Sequence, residues 1–221
     1  MEEKNEHLEN IREIRSMMER STQFISLSGL SGVFAGITAL LGALVIFIFK
    51  ADHFIGRYYH GGIYSKDELI KGSELSEFLI FIIATGFIML ILALFFAYFF
   101  TNRNAKRKGL PVWNSSAKRM IINLTIPLVT GGLFCFILIY HNLIFLLAPA
   151  TMIFYGLSLI NASKYTFRDI RYLGLTEILL GLIASVWVGY GLLFWAFGFG
   201  VLHIIYGLTM YWKYERITVQ S

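Results

Sequence analysis

The chain has 221 residues, of which 57% are hydrophobic and 15% charged, and it carries a net charge of +5. Soluble globular domains hold about 25% charged residues, so this composition points away from water and towards lipid. The surplus of positive charge is read as a topology signal, and no nucleic-acid partner is inferred from it.

Apolar residues fall in long uninterrupted runs. No charged side chain lies between Arg20 and Lys50, or between Glu77 and Arg103. Each gap exceeds the roughly 20 residues that a helix needs to cross the hydrocarbon core. Between Arg119 and Lys164 only His141 is ionisable, and between Tyr172 and Trp212 only Glu177 and His203. Each of these two stretches is long enough for two spans. The pattern predicts an all-α polytopic membrane protein with six spans, near 22–49, 78–101, 120–140, 143–161, 172–189 and 191–212. Stretches such as 78–100 are apolar on every face, unlike the alternating strands of a membrane barrel, and a helix satisfies its own backbone in lipid. The first span follows some twenty acidic and basic residues and lacks a clear small-residue cleavage site, so it is not read as a removable signal. The single cysteine, Cys135, falls inside the third span and excludes an intrachain disulfide.

Residues 2–20 of the 1–20 leader read as a cytoplasmic helix with Leu8, Ile11, Ile14 and Met18 on one side, resting partly on the membrane surface. Residues 21–221 form the transmembrane domain. With the N-terminus inside, fifteen Lys and Arg lie on the inner side against four (Lys50, Arg57, Lys66 and Lys71) outside. That imbalance predicts both termini in the cytoplasm and an inner-membrane location. The one sizeable outer loop is 50–77, in which Ser65-Lys66-Asp67-Glu68 has capping-box spacing and predicts a short helix ending near Gly72. The basic inner loop 102–119, with Trp113, is expected to rest on anionic lipid headgroups. Asn-x-Ser/Thr matches at Asn114, Asn123 and Asn161 fall inside or within lipid and do not predict glycosylation.

An internal pattern recurs. Gly174-Leu175-Thr176 and Gly181 repeat the spacing of Gly29-Leu30-Ser31 and Gly36, with a fainter copy at Asn123-Leu124-Thr125. Phe154-Tyr155-Gly156-Leu157-Ser158 is echoed by Ile205-Tyr206-Gly207-Leu208-Thr209. Three successive helical hairpins of one orientation are predicted, the last two with short outer turns at His141-Asn142 and Gly189-Tyr190-Gly191. In these glycine-spaced spans the chain resembles the acid-resistance membrane-protein family built from short two-helix repeats, although the long outer loop departs from that pattern. The resemblance implies a stress-related role and assigns no catalytic residue. Small-residue stripes at Ser28, Gly32 and Gly36 and at Gly181, Ser185 and Gly189 predict close helix contacts, within the chain or between subunits of a homo-oligomer. Pro127 and Pro149 are expected to bend the third and fourth spans.

Glu177 is the acid placed well inside a span, roughly 8 Å past its inner end at 1.5 Å per residue. The repeat sets Ser31, Asn123, Thr125 and Thr176 near the same depth. Either a polar cluster holds the hairpins together there, or the acid serves function; a reach towards Arg171 is the remaining option. His203 falls near mid-membrane, several ångströms from the depth of Glu177. On the outer surface Asp52, His53, His60, Asp67, Glu68 and His141 are candidate metal ligands, but no HExxH, paired-Cys or Walker spacing accompanies them. The absence of catalytic motifs points to a non-enzymatic stress-linked, scaffold or regulatory component. Two alternatives stand beside it: a proton or small-solute transporter using Glu177 and His203, and a metal-dependent hydrolase using the outer histidines. The sequence identifies no cofactor.

Overall fold

The computed structural model describes residues 24–55, 72–187 and 189–216, with 50–55 and 72–75 described by their backbone. Among the described residues the chain is helical and has no strand. The helices are α1 (Gly29–Ile55), α2 (Gly72–Arg107), α3 (Ser115–Tyr140), α4 (Leu147–Ala162), α5 (Asp169–Val186) and α6 (Gly191–Arg216). One turn of 3₁₀-helix, Ile144–Leu146, leads into α4, and another, Ser163–Tyr165, leaves it. Helix α6 is composite: α-helical at Gly191–Trp195 and His203–Tyr211, but π-helical at Ala196–Leu202 and Trp212–Arg216.

Among the described residues five helical stretches are long and apolar enough to cross a membrane: Gly29–Phe49, Ser76–Arg107, Ser115–Tyr140, Ile144–Tyr165 and Gly191–Arg216. Helix α5 has 18 residues and carries Asp169, Arg171 and Glu177. Ile80, Phe87, Leu94, Ile126, Leu133 and Phe136 are all exposed. Such contiguous apolar surface is untenable in water and ordinary against lipid. The chain is a multi-pass membrane protein.

Helix α1 packs between α2 and α6, and α4 between α3 and α5. Lipid tails are as apolar as leucine, so these helices associate through close backbone approach. At the α1–α6 interface a Cβ on Gly207 would meet the carbonyl oxygen of Gly29 at 2.6 Å, and one on Gly36 the carbonyl of Gly200 at 2.6 Å. At the α5–α4 interface a Cβ on Gly174 would meet the carbonyl of Gly156 at 2.7 Å, and one on Gly156 that of Gly174 at 2.5 Å. Gly181 likewise faces Pro149 and Ile153. The two interfaces are therefore built alike, from glycines seven residues apart on one helix. Gly86 and Gly132, by contrast, face open space.

Several sequence expectations are corrected here. The first span does not begin near residue 22: helix starts at Gly29, and 24–28 run without helix. The backbone of that segment is held by other parts of the chain. Phe24 N–H donates to the Tyr165 carbonyl (2.7 Å), and the Thr166 hydroxyl donates to the Phe24 carbonyl (2.8 Å). Asn104 Nδ2 donates to the carbonyls of Ser26 (3.1 Å) and Leu27 (3.3 Å), and Lys108 Nζ to that of Ile25 (3.3 Å). Burial pulls the Lys108 ammonium below its usual range, with Glu215 opposing the shift. Ser28 consequently sits outside the stripe expected on the first span. Gly189 lies in the turn after α5 with φ 103°, a conformation that glycine adopts freely. Pro149 is the third residue of α4, in the first turn, where helical N–H groups lack intrahelical partners anyway, so it breaks no bond. Helix α3 runs unbroken through Pro127 and starts on an N-cap, Asn114, whose side chain accepts from Ala117 N–H at 2.7 Å. The loop between α2 and α3 is shorter than the 102–119 expected, because α2 extends to Arg107 and α3 begins at Ser115. The turn at 141–142 places Asn142 in the left-handed region at φ 58°. The 2–20 helix and the short helix from Ser65 lie outside the described residues.

Candidate functional site

Helix α5 turns Glu177 away from lipid into the contact between α4 and α6. The side chain is fully buried, and its Oε1 lies 3.5 Å from Nδ1 of His203. Neither carboxyl oxygen has a hydrogen-bond partner among the described residues. Buried polar groups are nearly always paired, and an unpaired one calls for an explanation.

His203 opens the second α-helical part of α6 and is itself buried. Its Nδ1 lies 3.0 Å from the carbonyl oxygen of Gly198, and its Nε2 lies 2.8 Å from the hydroxyl of Tyr155 on α4. A carbonyl only accepts, so Nδ1 carries the hydrogen. In the neutral ring Nε2 then accepts from Tyr155. The Phe199 ring stacks on the imidazole, with centroids 5.7 Å apart and planes within 7°. Tyr155 and Trp195 each approach Phe199 at 4.8 Å. The imidazole is thereby clamped on one ring face and at both nitrogens.

The π-helical segment Ala196–Leu202 makes this arrangement. π-Turns inside helices are uncommon and recur at functional sites. Here the turn sets Gly198 against the carboxyl group: a Cβ at that position would stand 2.6 Å from Oε2 of Glu177 and 2.8 Å from Cε of Met152. Glycine is required because the acid occupies the space where a side chain would go.

Of the predicted site residues, the fold brings Glu177 and His203 together and disperses the others. Ser31 donates to the Ser28 carbonyl at 2.5 Å, Asn123 to Arg119 at 2.8 Å and Thr176 to Leu173 at 2.8 Å. Each bonds back to a carbonyl three or four residues earlier in its own segment, and Thr125 is exposed. The polar cluster expected at that depth is replaced by the Glu177–His203–Tyr155 array. Arg171 is exposed, while Glu177 points inward. On the other surface His141 is exposed at the C-cap of α3, beside the Tyr140 ring. The side chains of Asp52 and His53, and all of His60, Asp67 and Glu68, lie outside the described residues. Among the described residues no three His, Cys, Asp or Glu gather in a metal-binding group.

Two features escaped the sequence reading. Tyr155 carries no signal in an apolar run beyond the Tyr-Gly pair it shares with Tyr206-Gly207. Glu215 reads as one charge of a terminal segment, yet it is buried and caps α1: Gly29 N–H donates to its Oε1 at 2.5 Å and the Ser28 hydroxyl to its Oε2 at 3.2 Å. Arg107 in turn donates to the Glu215 carbonyl at 2.7 Å. Comparison with known proteins adds nothing to this geometry, since no family model, no curated protein and no solved structure matches the chain.

Proposed function

We propose that this chain is a non-enzymatic, proton-responsive membrane protein, a transporter or channel in which Glu177 and His203 bind and release a proton within the bilayer. The observation that carries the reading is the fully buried Glu177 carboxyl, unpartnered except for an imidazole at 3.5 Å. An intramembrane acid is costly and marks function by default. A purely structural acid would satisfy its oxygens with donors, as Glu215 does with the Gly29 N–H and the Ser28 hydroxyl. Here the carboxyl is left without a donor that would fix its protonation, beside an Nδ1–H that favours its ionised form.

The proposed architecture is six spans arranged as three repeated hairpins, with both termini in the cytoplasm, in an inner membrane. Support comes from the matched glycine contacts of the α1–α6 and α5–α4 interfaces and from the excess of inner Lys and Arg. Within that repeat the ionisable residues break the symmetry. Gly32 lies three residues past Gly29, where Glu177 follows Gly174. His203 lies four residues before Gly207, where Met152 precedes Gly156. One interface thus supplies the acid, the other the base, and the pair joins two units that are otherwise alike. The basic loop between α2 and α3, with exposed Trp113, serves as the contact with anionic headgroups. A stress-related setting, implied by the family resemblance, suits a site that answers to protons.

The test is proton movement into liposomes under an imposed pH gradient, followed with a trapped pH dye. Glu177→Gln and His203→Ala each abolish the protein-dependent component. Undiminished flux in both variants would remove these residues from any proton path.

A further inference from the structure

The Glu177–His203 site is sealed from the end of the bundle that carries both described chain ends. Leu159, Phe167, Ile170, Leu173 and Met210 form a buried apolar plug there. Tyr155 and Leu202 pack on it from the side of the site, and Ile25 and Leu27 from the segment 24–28. That segment has no helix or strand of its own, so its place depends on groups from three other parts of the chain. They are Asn104 of α2 and Lys108 just beyond it, Tyr165 and Thr166 between α4 and α5, and Glu215 at the end of α6.

We propose that residues 24–28 are a strap that closes this end of the bundle over the Glu177–His203 site, and that Glu215 is its latch. This rests on the reading of that site as the place where protons bind. The physical case lies in how the strap is fastened. A segment in regular structure carries its own backbone bonds, whereas this one is pinned by one backbone bond, Phe24 N–H to the Tyr165 carbonyl, and otherwise by side chains, each removable without unfolding a helix. Glu215 holds the junction between strap and α1 through the Gly29 N–H and the Ser28 hydroxyl, and these bonds to a carboxylate are stronger than neutral ones. Asn104 holds the middle of the strap through two carbonyls, and its own Oδ1 is buried without a partner. Lifting the strap withdraws Ile25 and Leu27 from the plug and bares Leu173, one turn of α5 below Glu177. Opening at this end then follows from breaking a few side-chain bonds, with no helix repacked across the glycine contacts.

Cysteine accessibility tests the strap. Leu173→Cys is placed in a Cys135→Ser background, and the full chain is reconstituted in lipid nanodiscs, where a charged maleimide reaches both faces. Labelling is expected to be slow beside an exposed Lys118→Cys control. Adding Glu215→Gln, which keeps shape and removes charge, accelerates it about tenfold, the factor for weakening one charge-assisted hydrogen bond. Asn104→Ala acts in the same direction and carries the test should the first variant fail to fold. Labelling as fast as the control in the parent, or unchanged rates in the folded variants, would overturn the proposal. Labelling needs no proton movement, so this outcome is separable from a failure of the flux experiment.

Discussion

Introducing a single methyl group at the α4–α5 contact separates the packing argument from any other. In Gly156→Ala the new Cβ would lie 2.5 Å from the Gly174 carbonyl oxygen and 3.0 Å from the backbone nitrogen of Ile178. Ordinary contact begins at 3.4 Å, and both neighbours are backbone, so no side chain can swing aside. The helices must part by most of an ångström. Overpacking of this kind costs about 1–3 kcal/mol, against which alanine gains only ~1 kcal/mol of helix propensity. Separation also carries Tyr155, next to Gly156, away from α5, which carries Glu177. Gly86→Ala and Gly132→Ala are the controls, since nothing lies within 4 Å of either added carbon. Unfolding of the purified protein by increasing sodium dodecyl sulfate in mixed micelles, followed by circular dichroism, reads the difference. Gly156→Ala is expected to unfold at distinctly lower detergent fraction than the parent, with both controls at or above it. A Gly156→Ala protein as stable as the controls would refute the close α4–α5 approach.

Other perturbations address the site and its frame. His203→Ala leaves the Tyr155 hydroxyl and the Gly198 carbonyl without their partner in a buried setting, and should cost roughly 2 kcal/mol or more in the same unfolding assay. Tyr155→Phe removes one bond and should cost about 1 kcal/mol. Gly198→Ala drives a methyl group into Glu177 and should reduce proton flux as far as Glu177→Gln does while α6 remains helical. At the start of α5, burial pushes the Asp169 carboxyl up, but hydrogen bonds from Lys213 and Tyr214 outweigh this and hold it below its ordinary value of 3.8. Its depressed folded-state value means the contribution is present above pH 3.8 and is lost as pH falls below it. The pair is largely exposed on the Lys213 side, so Asp169→Asn should cost no more than about 1 kcal/mol at neutral pH and flatten the acid limb of the stability curve.

Much of the helical framework was legible because lipid imposes a simple rule: long apolar runs and charge at their ends. Glu177 and His203 stood out for the same reason, as the ionisable groups left within the last two runs. Their pairing was not legible. The rise of a straight α-helix sets the two residues at different depths, whereas a π-helical segment immediately precedes His203 and changes the register of α6; the sequence around it, Gly198 and Gly200 included, has no code for that. The glycine pattern did single out Gly29, Gly156, Gly174 and Gly207, and these are the positions where backbones touch. Spacing alone misled where chain path decides. Ser28 looked like part of a span stripe until Asn104, Lys108 and Glu215, from distant parts of the sequence, fixed residues 24–28 outside the helix. Pro149 looked like a kink because the 3₁₀ turn at 144–146, which puts it in a first helical turn, carries no sequence signature.

The most direct test of the account is infrared spectroscopy of the protein in lipid as pH is raised, with Glu177→Gln as reference. The account predicts a protonated carboxyl carbonyl band that is lost at higher pH and is missing from the variant, moving in pH when His203 is replaced. A Glu177 carboxyl that shows no such band at any pH, or one that never releases its proton, would contradict the claim that this residue binds and releases a proton within the membrane.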